Sequence, residues 1–155
     1  VLVRKTPQAA EVLVTDVGFG VSQILPVLVL CFYVPEGSTV ILEQPEIHLH
    51  PSVQAGLADV FIDVWTKRKV QVIVESHSEH LLRRLQRRIA EKVMQHHDIA
   101  LYFCSAEQDQ SKIAPLDLDL FGKIDNWPKD FFGDEFGEFA AISKAIQQRK
   151  KAGEG

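Results

Sequence analysis

Two short segments of this 155-residue chain place acidic side chains and histidines directly after apolar, β-branched runs. The first reads TVILEQPEIHLHP, residues 39–51, with Glu43 directly after the apolar run. The second reads VIVESHSEHLL, residues 72–82, with His77 shortly after its apolar run. A carboxylate at the end of a rigid strand is well placed to hold Mg²⁺, directly or through water, and a neighbouring imidazole can reach a phosphate. The residue types therefore predict a site for a magnesium-bound phosphate compound.

A glycine-containing turn precedes both segments. The sequence VTDVGFGVSQILPVL, residues 14–28, sets glycines and small polar residues just before an apolar stretch with the pattern of a helix. Such a turn can be a simple connection that needs a positive φ at Gly18 or Gly20. It can also hold an anion, because the free N–H groups and the dipole of a helix N-terminus favour negative charge. The turn by itself leaves both interpretations open.

The spacing of the apolar residues predicts alternating strands and helices. Strands are predicted at residues 11–16, 39–42, 70–74, 99–104 and 113–118. Helices are predicted at residues 21–34, 51–65, 78–94 and 136–150. Pro26 is tolerable in its helix only if it falls near the first turn.

This order predicts the fold class. Strands that alternate with helices pair in parallel through right-handed crossovers, and ligands bind beyond the carboxyl ends of such strands. We therefore expect an α/β fold with a mainly parallel sheet flanked by helices. The run at 39–42 is apolar on both faces, as in a strand covered by helices on each side, and 99–104 is expected to be a third buried strand.

The composition is that of a globular protein, with 46% hydrophobic and 25% charged residues. A net charge of −4 excludes an overall basic field that would attract nucleic acid or an anionic membrane. Cys31 and Cys104 both lie in apolar sequence, which fits reduced thiols. The sequence shows no charged leader with a cleavage site and no apolar run long enough to cross a bilayer. We therefore expect a cytoplasmic protein with no membrane partner.

Taken in order, the three segments resemble the C-terminal half of an ATP-binding-cassette (ABC) ATPase. The similarity is to the SMC, RecF and OLD-like branch, specifically to prokaryotic AAA-like ATPases with an E-[EQ]-P-E-x-x-L-H-P box, and it covers residues 11–104. It implies the C-terminal lobe of a P-loop NTPase, with ATP and Mg²⁺ as cofactors. The segment IDNWPKDFF resembles the C-terminal tail of one subgroup. We expect the ATPase lobe at residues 1–120 and a C-terminal extension at 121–155.

The resemblance implies a role for several residues after the predicted strands. Glu43 takes the Walker B position and would hold Mg²⁺. Gln44 takes the position of the catalytic glutamate, and a glutamine can orient an attacking water but cannot accept its proton. Hydrolysis would therefore be slow unless Glu46 supplies the base. His77 takes the switch position and would contact the γ-phosphate.

The other implied nucleotide-binding positions lie in the D-loop and in the glycine turn. His50 belongs to the L-H-P part of the box. In the glycine turn, Gly20 matches the signature glycine, whereas Gly18 occupies the usual serine position, so Ser22 is the residue that could replace that hydroxyl. Gln23 completes the signature. In the family this loop faces ATP bound by a partner subunit, which implies a homodimer or a head-to-tail ATP sandwich.

The sequence contains no G-x-x-x-x-G-K-[ST] loop to cradle the phosphates. In the family, the strand that carries this Walker A loop lies between the strands corresponding to residues 70–75 and 99–104. We therefore expect a missing central strand, supplied by an N-terminal half on the same polypeptide or on a separate one. The first residue is valine rather than methionine, which fits a piece of a longer protein.

Two other function classes remain open from the residues. A non-catalytic interaction module could use nucleotide only to control assembly. A metallohydrolase could use a cluster of acidic and histidine residues, because the His-x-His and His-x-x-His spacings suit metal ligation. The candidate ligands for such a cluster are Glu43, Glu46, His48, His50, Glu75, His77 and His80.

Two surface features also have alternative interpretations. Four arginines of the predicted third helix could grip a phosphate backbone of DNA, or could form a solvated helix face. These are Arg83, Arg84, Arg87 and Arg88. The aromatic residues Trp127, Phe131 and Phe132 could form a docking patch, or could pack over the edge of the sheet.

Overall fold

The structure is a computed structural model, and it divides into two compact units. The described residues are 2–4, 7–13, 19–107, 110–128, 131, 142, 144 and 146. The first unit comprises residues 1–96 and 120–122, and the second comprises residues 97–119 and 123–155. The division at residue 120 expected from the sequence stays a prediction. The predicted helix at 136–150 lies outside the described residues except for residues 142, 144 and 146, which are helical.

The first unit contains four strands and three helices within the described residues. They are β1 (Leu2–Val3), β2 (Val12–Leu13), α1 (Phe19–Tyr33), β3 (Thr39–Glu43), α2 (Pro51–Arg68), β4 (Gln71–Glu75) and α3 (Glu79–Ala90). Strands β1 and β2 pair antiparallel. The strand predicted at 11–16 is present only as β2, and residues 14–16 lie outside the described part of the chain. The three helices and the strands β3 and β4 lie close to their predicted positions.

Strands β3 and β4 form a parallel pair. Their register runs from Thr39 opposite Gln71 to Glu43 opposite Glu75. Helix α2 connects them, as a parallel connection requires. The α/β class and the parallel pairing of these two strands are therefore confirmed.

One face of this strand pair contributes to the core of the unit. Val40 and Leu42 of β3 are buried among residues of α1, α2 and α3. The core residues are Cys31, Val40, Leu42, Leu49, Leu57, Ala58, Phe61, Val64, Val70 and Leu81. The alternate residues Ile41 and Ile73 are 69% and 49% exposed. The expectation that helices cover both faces of the strand is therefore wrong for the described residues, because successive strand side chains point to opposite faces and only one face is packed.

The helix ends follow local rules. Helix α2 begins with Pro51 after the N-cap His50, and its C-cap is Lys69, whose φ of 54° lies in the left-handed region. Helix α3 has Ser78 as its N-cap, and the Ser78 hydroxyl accepts a hydrogen bond from the amide of Leu81. The residue directly after His77 is therefore the cap of this helix.

Helix α1 departs from the prediction in one respect. It begins at Phe19, so Pro26 lies in the helix interior rather than near the first turn. Proline has no N–H to donate to the carbonyl four residues earlier, so this helix has a gap in its hydrogen bonding. The opposite end of α1 is held by Arg68, whose guanidinium donates to the backbone carbonyls of Cys31, Phe32 and Val34.

The second unit contains a β-hairpin of β5 (Leu101–Glu107) and β6 (Gln110–Leu116). These strands pair antiparallel, from Leu101 opposite Leu116 to Glu107 opposite Gln110. The sequence analysis did not predict this antiparallel pairing, which the short connection between the two strands requires. The predicted burial of β5 is wrong, since Tyr102 is 62% exposed and Cys104 is exposed.

The aromatic residues that follow the hairpin pack on one another. The ring of Phe131 lies 5.3 Å from that of Phe103 on β5, and 4.9 Å from that of Trp127, in an edge-on arrangement. Phe131 therefore packs against a residue of β5 and Trp127 packs on Phe131, whereas Phe132 lies outside the described residues. Within the described residues, no helix combines the length and the apolar character that a membrane span requires.

Candidate functional site

The carboxyl ends of β3 and β4 lie side by side. Glu43 and Glu75 are the last paired residues of the two strands, and both side chains are exposed. One further backbone bond follows, from the amide of Gln44 to the carbonyl of Glu75 at 2.8 Å. The residues after both strands therefore start from the same edge of the sheet. The two acid- and histidine-bearing strands are therefore neighbours with a common edge.

The segment after β3 is a compact turn with an unusual backbone. Gln44 and His48 have φ values of 44° and 63°, a region that few residues other than glycine adopt. Within the turn, the amide of Ile47 donates to the carbonyl of Gln44 and the amide of Leu49 donates to that of Glu46. Non-glycine residues in this region often occur at functional sites, where surrounding contacts offset the strain.

Glu46 is the buried acid of this turn. Its side chain is 6% exposed, and Oε1 accepts a 2.7 Å hydrogen bond from the backbone amide of His77. Within the described part of the chain, Oε2 is buried with no hydrogen-bond partner. A buried carboxylate oxygen without a donor is costly, so Oε2 is an unused acceptor at the edge of the sheet.

The side chain of Gln44 turns towards the neighbouring strand. Its Nε2 donates to Oε1 of Glu75 at 3.2 Å. This contact orients the amide and leaves its oxygen available as an acceptor. Glu43 presents an exposed carboxylate beside this pair. Glu75 itself was not among the residues expected to act on nucleotide, although its place at the end of β4 was visible in the sequence.

A shallow depression of about 280 Å³ lies at the turns that follow β3 and β4. Its lining residues are Gln44, Glu46, Ile47, His48, Gln54, His77 and Ser78. Three of the predicted catalytic residues, Gln44, Glu46 and His77, are therefore brought together. Gln54 was missed by the sequence analysis. Gln54 lies on the same side of α2 as Leu57 and Phe61. A polar residue on this apolar side of the helix was the signal in the sequence that its side chain has a hydrogen-bond partner inside the unit.

The predicted nucleotide-binding residues are more scattered. Gly18 lies outside the described residues. Gly20 lies on α1 beside the turn after β3, because a Cβ added there would be 3.5 Å from the carbonyl oxygen of His48. Ser22 is half-buried and Gln23 is exposed on the same helix. His50 is exposed, and its Nδ1 accepts from the amide of Ser52 as the cap of α2.

The metallohydrolase alternative finds no geometric basis. Within the described residues, which include all seven candidate ligands, no group of three or more histidine, cysteine, aspartate or glutamate side chains is arranged to hold a metal ion. His50 is directed to the cap of α2, and one oxygen of Glu46 is directed to the amide of His77. The histidine spacings in the sequence therefore do not converge on a metal-binding cluster.

The arginines of α3 are all in ion pairs. Asp59 of α2 accepts from Arg84 at 2.7 Å and from Arg88 at 2.6 Å. Arg87 and Arg88 both reach Glu91, and Arg83 reaches Glu79. The hydrogen bond from Arg88, assisted by Arg84, lowers the pKa of the Asp59 carboxyl against the opposing effect of burial. This arrangement resembles the solvated helix face expected from the sequence, with the added feature that two arginines tie α3 to α2.

Burial also affects one thiol. Cys31 is fully buried in α1, and desolvation raises the pKa of its thiol. It therefore behaves as a small apolar core residue rather than as a nucleophile.

Family comparisons match most of the chain in two parts. A model of AbiEii toxin-like AAA domains, whose description also names a type IV toxin–antitoxin system, matches residues 5–83. A model described as a protein of unknown function (DUF3696) matches residues 94–142. Comparison with curated proteins and with solved structures finds no match. Because the first match spans more than half of the chain and contains β3, β4 and the turns after both, the chain belongs to the AbiEii toxin-like AAA domain family, which is ATPase-like.

Proposed function

We propose that this chain supplies one side of a composite ATP site in an ABC-type ATPase of the SMC, RecF and OLD-like branch. One observation carries the proposal. The in-register parallel pairing of β3 and β4 puts Glu43 and Gln44 at the same sheet edge as residues 76–78, the turn between β4 and α3 that we call the His77 turn. Membership of the AAA domain family supports nucleotide chemistry at this edge. Ligands of parallel α/β sheets bind beyond the carboxyl ends of the strands.

The residues at this edge fit a magnesium ion that is shared with a nucleotide. Mg²⁺ commonly takes one or two carboxylates from the protein and its other ligands from phosphates and waters. Glu43 offers an exposed carboxylate, and Glu75 lies opposite it in the strand register. Glu43 would hold the ion, which would neutralise developing phosphate charge when bound.

The chain's own residues would then position the reactants. Gln44 would orient the attacking water with its amide oxygen, while its Nε2 is held by Glu75. His77 would contact the γ-phosphate. Because a glutamine does not remove a proton, we expect slow hydrolysis, with the unpartnered Oε2 of Glu46 as the group that could accept it.

The rest of the composite site would come from an N-terminal half and from a second copy of this chain. The sequence has no phosphate-cradling G-x-x-x-x-G-K-[ST] loop, so an N-terminal half would supply it. The amino end of α1, with Gly18, Gly20, Ser22 and Gln23, would close over nucleotide bound by a second copy, together with His50 of the D-loop. A helix N-terminus suits the negative charge of a triphosphate.

The proposal is tested by Gln44→Glu in the full-length protein that carries the phosphate loop. A carboxylate at this position supplies a general base, so ATP turnover should rise by about tenfold or more. Glu36→Gln, an exposed residue in the turn before β3, serves as the control for a change of charge. Unchanged turnover in Gln44→Glu, with ATP still bound, contradicts the assignment of Gln44 to the catalytic position.

A second function is favoured by the same residue. Gln44 stands where a base is expected and its amide is already engaged by Glu75, which fits a module that binds nucleotide to control assembly without turning it over. Stoichiometric ATP binding with no phosphate release over hours, and a change of oligomeric state on binding, would identify this module. Phosphate release at a steady rate would exclude it.

A further inference from the structure

Gln54 of α2 contacts both turns that follow the parallel strands. Its Oε1 accepts a 2.7 Å hydrogen bond from the hydroxyl of Ser78, and its Nε2 donates a 2.9 Å hydrogen bond to the carbonyl of Leu49. Ser78 and Leu49 are both buried. A single amide therefore bridges the segment after β3 and the segment after β4.

The chemistry of the two neighbours fixes the orientation of this amide. A backbone carbonyl can only accept, so the NH₂ group of Gln54 must face Leu49. The hydroxyl of Ser78 accepts from the amide of Leu81, so its own hydrogen is free for Oε1 of Gln54. Neither a methionine nor an ionised glutamate at position 54 could make both bonds.

Gln54 also lies next to a second, parallel bridge. Glu46 joins the same two segments by accepting from the backbone amide of His77, the residue before Ser78. Both bridges line the depression at the sheet edge. Two polar bridges between the same two segments hold the His77 turn in one place more firmly than either alone.

We propose that Gln54 is a positioning residue that holds the His77 turn in a fixed position relative to the segment after β3. The inference rests on the proposed function, in which His77 contacts the γ-phosphate, and it adds a residue that touches no nucleotide. When the Gln54 bridge is lost, His77 keeps its imidazole and its backbone bond to Glu46, but the turn that carries it is held less firmly. The expected consequence is slower turnover with little change in nucleotide affinity.

The structural part is tested by Gln54→Met in the intact protein, read by amide hydrogen exchange. The variant keeps the volume and loses both hydrogen bonds, so exchange at His77 and Leu81 should rise by about threefold to tenfold. Gln71→Met is the matched control, because Gln71 accepts one side-chain bond from Thr39 at the opposite end of the strands. Unchanged exchange at His77 in Gln54→Met, or an equal rise in Gln71→Met, overturns the inference.

A second variant distinguishes the loss of the Gln54 hydrogen bonds from a general loss of structure. In Gln54→Glu the ionised side chain cannot donate to Leu49, whereas the protonated acid can make both bonds of the amide. Exchange protection at His77 should therefore be lost at pH 7 and regained below the usual glutamate pKa of about 4.3. The unsubstituted protein at each pH is the control for the other ionisable side chains that line the same depression, which are Glu46, His48 and His77. No recovery at low pH overturns the inference.

Turnover separates this inference from the proposed function. Gln54→Met should lower kcat by about threefold to tenfold and leave KM for ATP within about twofold. A kcat equal to that of the unsubstituted protein, despite faster exchange at His77, overturns the positioning role. If the unsubstituted protein neither binds nor hydrolyses ATP, the proposed function fails, and the exchange measurements still decide whether Gln54 holds the turn.

Discussion

The backbone amide of His77 donates a hydrogen bond of 2.7 Å to Oε1 of Glu46. The two residues follow different strands and are brought together by the parallel register of β3 and β4. The bond uses the backbone of His77, so it leaves the imidazole free to face a ligand. It also buries one carboxylate whose second oxygen has no partner among the described residues.

Glu46 is expected to stabilise the fold through this one acceptor oxygen. Glu46→Ala leaves the amide of His77 without its partner and should lower the free energy of unfolding by about 2 kcal/mol. Glu46→Gln keeps an acceptor and should change it by less than about 1 kcal/mol. Urea unfolding at pH 7 measures both. Equal losses in the two variants would show that the charge, and not the hydrogen bond, matters.

Asp59 is expected to make stability depend on pH. Hydrogen bonds from Arg88 and Arg84 place its folded-state pKa below the usual value of 3.8, so its contribution is present above that value and is lost as pH falls through the folded-state pKa. Asp59→Asn should therefore cost about 1 kcal/mol at pH 7, a figure reduced for solvent screening, and less at a pH below the usual value of 3.8.

The control for Asp59 lies on the same helix. Asp63 pairs with Lys67 at 2.8 Å, and its side chain is 50% exposed. Asp63→Asn should change the free energy of unfolding by less than about 0.5 kcal/mol at either pH. A pH-independent loss in Asp59→Asn would mean that the pairs with Arg84 and Arg88 do not lower its pKa.

Gly122 is expected to tolerate no side chain. Its φ is 80°, and an added Cβ would lie 2.3 Å from the carbonyl oxygen of Gln86 on α3. Gly122→Ala should therefore lower the free energy of unfolding by about 3 kcal/mol. Thermal or urea unfolding gives the value.

Two other glycines separate the causes of this loss. Gly37 has a φ of 75° with open space around it, so Gly37→Ala should show only the backbone cost of about 1 kcal/mol. Gly56 lies inside α2 with nothing within 4 Å, so Gly56→Ala should raise stability by about 0.5 to 1 kcal/mol. A Gly122→Ala loss no larger than that of Gly37→Ala would contradict the close approach to Gln86.

Local patterns in the sequence were enough to predict most elements of the first unit. Strands β3 and β4 and helices α2 and α3 were located to within a few residues. An element that is buried on one side has apolar residues that recur at its own helical or strand spacing, and this spacing is visible in the sequence. The order strand, helix, strand also predicted that β3 and β4 are parallel neighbours. The candidate site at their carboxyl ends followed from that order together with the acidic and histidine residues at the strand ends.

Partners that are distant in sequence could not be predicted in the same way. The sequence placed Arg84 and Arg88 on a helix but not beside Asp59, and it did not show that Gln54 joins Leu49 to Ser78. It also missed the antiparallel pairing of β5 with β6. Such contacts depend on how the helices pack and on the register in which the strands pair. A shift of one residue in the register of a strand would give each of its side chains different neighbours.

The sequence by itself determined which residues could do chemistry and the strand ends that carry them. Only the tertiary structure decided which of those residues meet. It directed His50 to a helix cap, and it joined Glu46 to the amide of His77. The physical reason is that a hydrogen bond needs two groups within about 3 Å of each other, and that proximity is set by the packing of whole elements and not by the residue types alone.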